Sequence, residues 1–198
     1  MSKKSRQVHC VSCVKKSCYQ GKDCFAFRDE AQRSYSSEDL KMTRAATQIE
    51  SEHYMKKTRL EEVILFGRKM SYTRLGIAFC IGLSDEAKII AELIEPYFEV
   101  VSVCCKICGI SKEHFDLPKI DSARDEAMCN PLGQAMFLND AQTDLNLLVG
   151  LCIGHDILFT KNCRAPVSTL IVKDRVLGHN PAAAIYSGYH RKRIINTS

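Results

Sequence analysis

Tryptophan is absent from this sequence, and aromatic residues together make up only 8% of its 198 residues. Proteins that hold single-stranded nucleic acids usually stack bases on aromatic side chains that line a basic groove. Here the net charge is a modest +5, and the basic residues concentrate at the two ends of the chain. The composition therefore argues against a nucleic acid as the partner of this protein.

Long hydrophobic runs are also missing. No apolar stretch reaches the roughly 20 residues that a membrane-spanning helix requires. The first residues, MSKKSRQVHC, are basic but are not followed by the apolar segment of a secretory signal. We therefore predict a cytoplasmic protein without a membrane partner, and the sequence leaves its oligomeric state open.

Cysteine, in contrast, is abundant, with eleven residues in the chain. In a secreted protein such a number would indicate disulfides, but the count is odd and there is no export signal. In a reducing compartment, many free thiols indicate metal ligation or thiol chemistry. A buried cysteine that merely packs as a small apolar residue is the alternative for each of them.

From residue 71 onward, short apolar runs alternate with helical patterns, which predicts an α/β fold with a mostly parallel sheet of about four strands flanked by helices. Residues 79–83 (FCIGL) and 151–155 (LCIGH) share three identical residues, which is consistent with two βαβ-like halves, and a chance identity is the alternative. The predicted strands cover 74–80, 98–104, 145–152 and 167–172, and the predicted helices cover 85–95, 131–141, 154–161 and 181–191.

The part of the chain before this α/β domain has a different pattern. Residues 1–36 lack apolar periodicity, and we interpret them as a loop-rich, cysteine-rich metal-binding module. Residues 37–70 are predicted to form a helical connector, because Ser37 followed by two acids is a typical helix start and 59–69 carries a second helical pattern. The α/β domain then covers residues 71–198.

Four cysteines of the first module are spaced C-x2-C-x4-C-x5-C: Cys10, Cys13, Cys18 and Cys24. Thiolate is a soft ligand that selects zinc, iron–sulfur or copper(I) centres. Zinc ribbons usually separate two C-x2-C pairs by a longer loop, whereas ligands staggered along one short segment suit a cubane cluster better. We predict a [4Fe–4S] cluster, with zinc as the alternative metal and His9 as an alternative ligand for either.

Five further cysteines lie at or near the predicted carboxyl ends of strands: Cys80, Cys105, Cys108, Cys129 and Cys152. In open parallel sheets these ends line the crevice where ligands bind. Cys129 also lies just before a predicted helix start, where the helix dipole lowers the pKa of a thiol. These positions predict a second iron–sulfur cluster or a pocket of reactive thiols, and buried core cysteines are the alternative interpretation.

Ionisable residues follow the third and fourth predicted strands at the same end of the sheet. Arg175 can bind a carboxylate or a phosphate in a two-pronged geometry, and a histidine can transfer protons. The alternative is that these groups only form surface pairs, turns and helix starts. The candidate catalytic residues are His155, Asp156, Asp174, Arg175 and His179, and the expected partner is a small anionic ligand or a redox partner protein.

The segments EAMCNPLGQA at 126–135, GLCIGHD at 150–156 and KDRVLGHNP at 173–181, together with the Cys10–Cys24 run, resemble the domain-of-unknown-function 1847 family. That family is described as uncharacterised metal-binding proteins of archaea and anaerobic bacteria. The resemblance covers nearly the whole chain and implies a cysteine-rich metal-binding protein without an established activity, so no catalytic residue is carried over. An anaerobic host would suit oxygen-sensitive iron–sulfur chemistry.

Three functions are consistent with these features. The first is an iron–sulfur redox protein or a small-molecule enzyme that uses the thiols at the edge of the sheet. The second is a zinc-binding module without catalysis, and the third is a thiol redox sensor. Whether the protein is an enzyme is left open by the sequence.

Overall fold

A computed structural model of the chain describes residues 10–196, so His9 and the basic residues before it lie outside the described part. The chain divides into two compact units, with the boundary between Arg44 and Ala45. The sequence pattern divides the chain differently, after residues 36 and 70, because it follows composition whereas the two units follow packing. Within the described part, no helix is long and apolar enough to cross a membrane.

The first unit has little tertiary packing of its own. It contains two short 3-10 turns, Cys10–Ser12 and Ser17–Gln20, then helix α1 (Arg28–Ser34) and the beginning of α2 (Ser37–His53). From residue 10 to residue 44 no side chain is buried, and Val11 is 99% exposed. This segment therefore has no hydrophobic core with which to hold its conformation.

Local hydrogen bonds explain the helices of this unit. The carboxylate of Asp23 accepts hydrogen bonds from the N–H groups of Ala26 and Arg28, at 2.8 and 3.0 Å, just before α1 begins. The predicted start of α2 at Ser37 is confirmed. Its cap is Ser36, whose hydroxyl accepts a hydrogen bond from the N–H of Asp39 while the Asp39 carboxylate accepts one from the N–H of Ser36. Helix α1 was not expected from the sequence, because it is short and lacks an apolar face.

The second unit contains the predicted parallel sheet. Its strands are β1 (Arg74–Phe79), β2 (Glu99–Cys104), β3 (Leu145–Val149) and β4 (Val167–Ile171), and every neighbouring pair is parallel. The strand order is β2-β1-β3-β4. The α/β prediction and the strand positions are confirmed, except that β3 ends at Val149 because Gly150 turns the chain with φ +66°.

The remaining helices are α3 (Arg59–Met70), α4 (Ser84–Ile94), α5 (Pro131–Asp140), α6 (His155–Asn162), α7 (Ala182–Tyr186) and α8 (Gly188–Ile195). Helices α4, α5 and α6 connect the strands; α4 packs on β1 and β2, and α5 packs on β2 and against α6. Because parallel crossovers are right-handed, α4 covers one face of the sheet and α5 with α6 covers the other. The predicted closing helix over 181–191 is two helices, because Ser187 is extended and separates them.

The core of this unit lies on both faces of the two central strands. Ile77 of β1 and Leu147 of β3 are fully buried on one face, and Ala78 and Leu148 are at most 2% exposed on the other, as expected for strands covered on both sides. The strand order reverses direction between β1 and β3, since the chain goes from β1 to one side and then crosses back to the other. Open α/β sheets bind ligands at the carboxyl side of such a switch point.

Candidate thiol pocket at the carboxyl edge of the sheet

A cavity of about 660 Å³ lies where β1 and β3 end, at the switch point of the sheet. Cys80 comes directly after β1, Cys152 follows the turn after β3, and Cys129 precedes α5. All three line this cavity, which we call the thiol pocket. The topology brings these cysteines together from positions up to 72 residues apart in sequence because parallel strands end at the same edge.

Cys105 lies behind the pocket and contacts Cys129. It is only 2% exposed, and its sulfur accepts a hydrogen bond from the N–H of Ile81 at 3.3 Å. Its thiol donates a hydrogen bond to the sulfur of Cys129. The backbones of the two segments are also joined, because the N–H of Asn130 donates to the carbonyl of Cys105 at 2.8 Å. The two thiols therefore form a pair, of which only Cys129 lines the cavity.

This pairing shifts the pKa values of the two thiols in opposite directions. The hydrogen bond from Cys105 lowers the pKa of Cys129 to about 5, and electrostatic interactions with Lys106 and His155 act in the same direction against the cost of burial. The pKa of Cys105 is raised, first by its role as donor to Cys129 and then by burial. Near neutral pH, Cys129 is therefore a thiolate and Cys105 remains a thiol.

Positively charged side chains also contact the other two cysteines of the pocket. The ammonium of Lys173 lies 3.4 Å from the sulfur of Cys80. The guanidinium of Arg175 donates to the sulfur of Cys152 at 3.1 Å, and this contact raises the pKa of Arg175. Arg175 also interacts electrostatically with Cys80 and with Cys129. Lys173 and Arg175 therefore add positive charge to the pocket beside Cys80 and Cys152.

Two buried polar side chains hold the turns that carry these thiols. Asn130 caps α5 by accepting from the N–H of Gly133 at 2.8 Å, and its amide donates to the carbonyl of Ile107 at 3.3 Å. Gln134 is fully buried and donates to the carbonyl groups at the ends of β1 and β2, at 3.2 and 2.9 Å. Neither role was identified from the sequence. The Asn-Pro pair before α5 was a usable cap signal, whereas nothing local distinguishes Gln134.

The outer wall of the pocket is stabilised by an ion pair between Lys112 and Glu126, neither of which was identified from the sequence. The carboxylate of Glu126 also accepts from the N–H of Ile120 at 3.1 Å. Lys112 and these backbone donors lower the pKa of Glu126 to about 2. Ser111 and Ala127, the neighbours of these two residues in the sequence, form an isolated antiparallel bridge. The ion pair therefore joins the same two segments as this bridge.

The five ionisable candidates from the sequence occupy different positions. His155 and Arg175 line the thiol pocket. Asp174 accepts from the N–H groups of residues 176 and 177, and its own N–H donates to Nδ1 of His179 at 3.1 Å. Asp174 and His179 therefore shape the loop that presents Arg175. Asp156 accepts from the N–H of the next residue and does not line the pocket.

Two further cysteines of the second unit, Cys108 and Cys163, lie apart from this arrangement. Cys108 is exposed on a turn with φ +69° and does not line the pocket, although the C-x2-C spacing had grouped it with Cys105. Cys163 is half-buried after α6, and burial raises its pKa to about 11 against an opposing hydrogen bond from Asn146. Cys163 thus provides an internal contrast to the acidic thiol of Cys129.

The four cysteines of the first unit are all exposed. Local backbone hydrogen bonds form turns between them, such as the hydrogen bond from the N–H of Cys13 to the carbonyl of Cys10 at 3.2 Å. Between residues 10 and 196, no group of three or more His, Cys, Asp or Glu side chains is arranged to hold a metal ion. In chemical type the four thiols fit a soft metal or a cluster, but this structure does not gather them around one point.

Comparisons with known proteins agree with the motif resemblance. A family model described as a protein of unknown function (DUF1847) matches residues 19–170, which include β1 to β3, all but the last residue of β4 and all three cysteines of the thiol pocket. An uncharacterized protein of Methanocaldococcus jannaschii is 55% identical over 192 residues, covering 95% of this chain and 98% of the relative. No solved structure matches the chain.

Proposed function

The chain belongs to the DUF1847 family, and we propose that it is a thiol-dependent protein whose pocket binds a small anionic molecule beside a reactive thiolate at Cys129. One observation carries this proposal: Cys129 lines a cavity shared with His155 and Arg175, and its pKa is lowered to about 5. A thiolate is the nucleophilic form of cysteine, so Cys129 is poised to attack an electrophile bound in this cavity.

The charges of the pocket favour an anion as the ligand. Lys106, His155 and Arg175 line the cavity. Among the described residues that line it, the one carboxylate is Glu126, and that carboxylate is engaged by Lys112. Arginine binds carboxylate and phosphate groups with two parallel hydrogen bonds. The cavity of about 660 Å³ is also within the range of roughly 300–1,000 Å³ typical of small-molecule sites. Because the pocket depends on free thiols, a reducing cytoplasm is the compartment that suits it.

The pH dependence of alkylation tests this proposal. The rate of iodoacetamide modification of Cys129, followed by peptide mass spectrometry, should be half-maximal near pH 5. Inorganic phosphate or a simple dicarboxylate should slow this modification, and the protection should be weaker in Arg175→Gln. Cys163→Ser is the control, because that thiol lies outside the pocket and should leave the profile unchanged. A midpoint near the ordinary thiol value of about 8.5, or no protection by either anion, would contradict the proposal.

A second function is supported by the first unit. Its four exposed cysteines lie in a segment without a buried side chain, so a metal would supply the folding energy that this segment lacks. We propose that Cys10, Cys13, Cys18 and Cys24 hold a [4Fe–4S] cluster, with zinc as the alternative. Such a cluster would supply one-electron transfer or a structural centre when bound.

Metal and acid-labile sulfide content of protein purified without air tests this second function. Iron with sulfide supports the cluster, about one zinc supports the alternative, and metal-free protein contradicts both. Cys13→Ser should lose the metal, whereas Cys129→Ser should retain it. Loss of iron in Cys129→Ser would instead place a cluster in the thiol pocket, and would contradict our assignment of those cysteines to thiol chemistry.

A further inference from the structure

We infer that Cys129 and Cys105 act as an attacking thiol and a resolving thiol in exchange with small anionic disulfides, closing a Cys105–Cys129 disulfide in the process. This inference rests on the proposed function, because it requires the reactive thiolate and the anion-binding pocket described above. It adds the class of substrate and a role for Cys105, which no local sequence pattern pairs with Cys129.

The positions of the two sulfurs determine the order of events. Cys129 lines the cavity, whereas Cys105 is 2% exposed and does not line it. A disulfide that enters from solvent therefore meets Cys129 first. Cys105 interacts directly with the sulfur of Cys129, and the two segments are joined by the 2.8 Å backbone hydrogen bond from Asn130 to Cys105. Attack of Cys105 on that sulfur closes the internal disulfide.

The exchange balances without any further reactant. The Cys129 thiolate attacks one sulfur of the ligand R–S–S–R, a Cys129–S–S–R bond forms, and one RS⁻ leaves. The sulfur of Cys105 then attacks the sulfur of Cys129. The Cys105–Cys129 bond forms, the second RS⁻ leaves, and it takes up the proton of Cys105. The protein dithiol is oxidised and one external disulfide is reduced to two thiols.

The surroundings of Cys105 suit the second step. Its pKa is raised chiefly because it donates a hydrogen bond to the Cys129 thiolate. Once Cys129 has formed the mixed disulfide, that negative charge is gone and this constraint is removed. The N–H of Ile81, 3.3 Å from the Cys105 sulfur, then stabilises the thiolate that must attack.

The pocket indicates the charge of the substrate. Arg175, Lys106 and His155 lie around Cys129, so a carboxylate on the disulfide would be attracted to the place where its sulfur must be attacked. A cationic disulfide of the same length would be repelled. Dithiodipropionate and cystamine are such a pair, since they differ mainly in the sign of their end groups.

The experiment treats the reduced full-length protein with each disulfide separately near neutral pH and low salt. Peptide mass spectrometry follows Cys129 itself, because other exposed thiols of the chain also react with disulfides. We expect Cys129 to react at least about tenfold faster with dithiodipropionate than with cystamine, and we expect added salt and Arg175→Gln to reduce this ratio. In wild-type protein Cys129 should end up linked to Cys105. Cys105→Ser keeps a hydrogen-bond donor to Cys129 but should accumulate the mixed disulfide of Cys129 with mercaptopropionate.

The outcomes separate this inference from the proposed function. If wild-type protein stops at the mixed disulfide as Cys105→Ser does, the resolving role is overturned even when Cys129 keeps its low alkylation midpoint. If cystamine reacts as fast as dithiodipropionate, the anionic substrate class is overturned. If Cys129 alkylates with an ordinary midpoint, the proposed function itself has failed.

Discussion

The two groups of cysteines lie in opposite surroundings. Cys10 to Cys24 are exposed on a segment where no side chain is buried from residue 10 to residue 44. At the carboxyl edge of the sheet, Cys105 is buried, Cys129 is half-buried, and cations accompany the pocket thiols. The surroundings of the cysteines therefore differ between the two units. In the sheet the fold gathers the sulfurs, whereas in the first segment the four sulfurs stay exposed and we propose that a metal gathers them.

The largest expected difference between the two regions concerns packing. A Cβ on Gly76 of β1 would meet Oδ1 of Asn146 at 2.1 Å and a methyl of Leu138 at 3.0 Å. Gly76→Ala should therefore destabilise the second unit by about 3 kcal/mol or more, measured by urea denaturation. Gly21 of the first unit has a positive φ of +87° but open space around it, so Gly21→Ala should cost only about 1 kcal/mol and only locally.

A double variant checks the steric reason. Asn146→Ser removes the atom that the new methyl group meets, although it costs some stability by itself. Gly76→Ala combined with Asn146→Ser should then be less destabilised than the sum of the two single variants. A simple sum would show that the contact with Asn146 is not the cause.

The second prediction concerns the source of the acidity of Cys129. Cys105→Ala removes the hydrogen bond that is the largest cause of the lowered pKa, whereas Cys105→Ser retains a donor. At about pH 6, iodoacetamide should therefore modify Cys129 about tenfold more slowly in the alanine variant and at nearly the wild-type rate in the serine variant. Equal rates in both variants would show that Lys106 and His155 alone maintain the thiolate.

The third prediction concerns stability and pH. The pKa of Cys129 is lower in the folded state than in the unfolded chain, so its thiolate stabilises the fold at high pH. This contribution is complete above the unfolded value of about 8.5 and is lost as the pH falls through about 5. The stability advantage of wild type over Cys129→Ser should therefore shrink by about 1–2 kcal/mol between pH 8 and pH 5, a range that allows for the partial exposure of the thiol.

Thermal denaturation across this pH range provides the measurement. Cys163→Ser is the control, because the pKa of Cys163 is raised and its thiol stays protonated throughout the range. A constant difference between wild type and Cys129→Ser would contradict the assigned charge state of Cys129.

The smallest expected effect is that of a substitution in the first unit on the stability of the second unit. Cys13→Ser should remove the metal of the first unit but change the melting temperature of the α/β unit by no more than the equivalent of about 0.5 kcal/mol. The reason is that the two units have separate internal contacts. Collapse of the whole protein in Cys13→Ser would show that they fold as one.

Much of the fold was predictable from the sequence because the signals are local. Alternating apolar runs and helix caps located the four strands and most helices, and the parallel arrangement implied that Cys80, Cys129 and Cys152 would share one edge. The pairing partner of Cys105 was not predictable in the same way. Its C-x2-C spacing indicated Cys108, but a left-handed turn at Cys108 leaves that side chain exposed.

The amino-acid sequence by itself determined the class of fold, the edge of the sheet at which the thiols lie, and their chemical type, because periodicity, turn residues and side-chain chemistry are local properties. Only the tertiary structure decided that Cys105 contacts Cys129, that Arg175 lies against Cys152, and that Gln134 ties the ends of β1 and β2. These contacts join residues from different turns. They follow from strand order and backbone direction, which no single stretch of sequence contains.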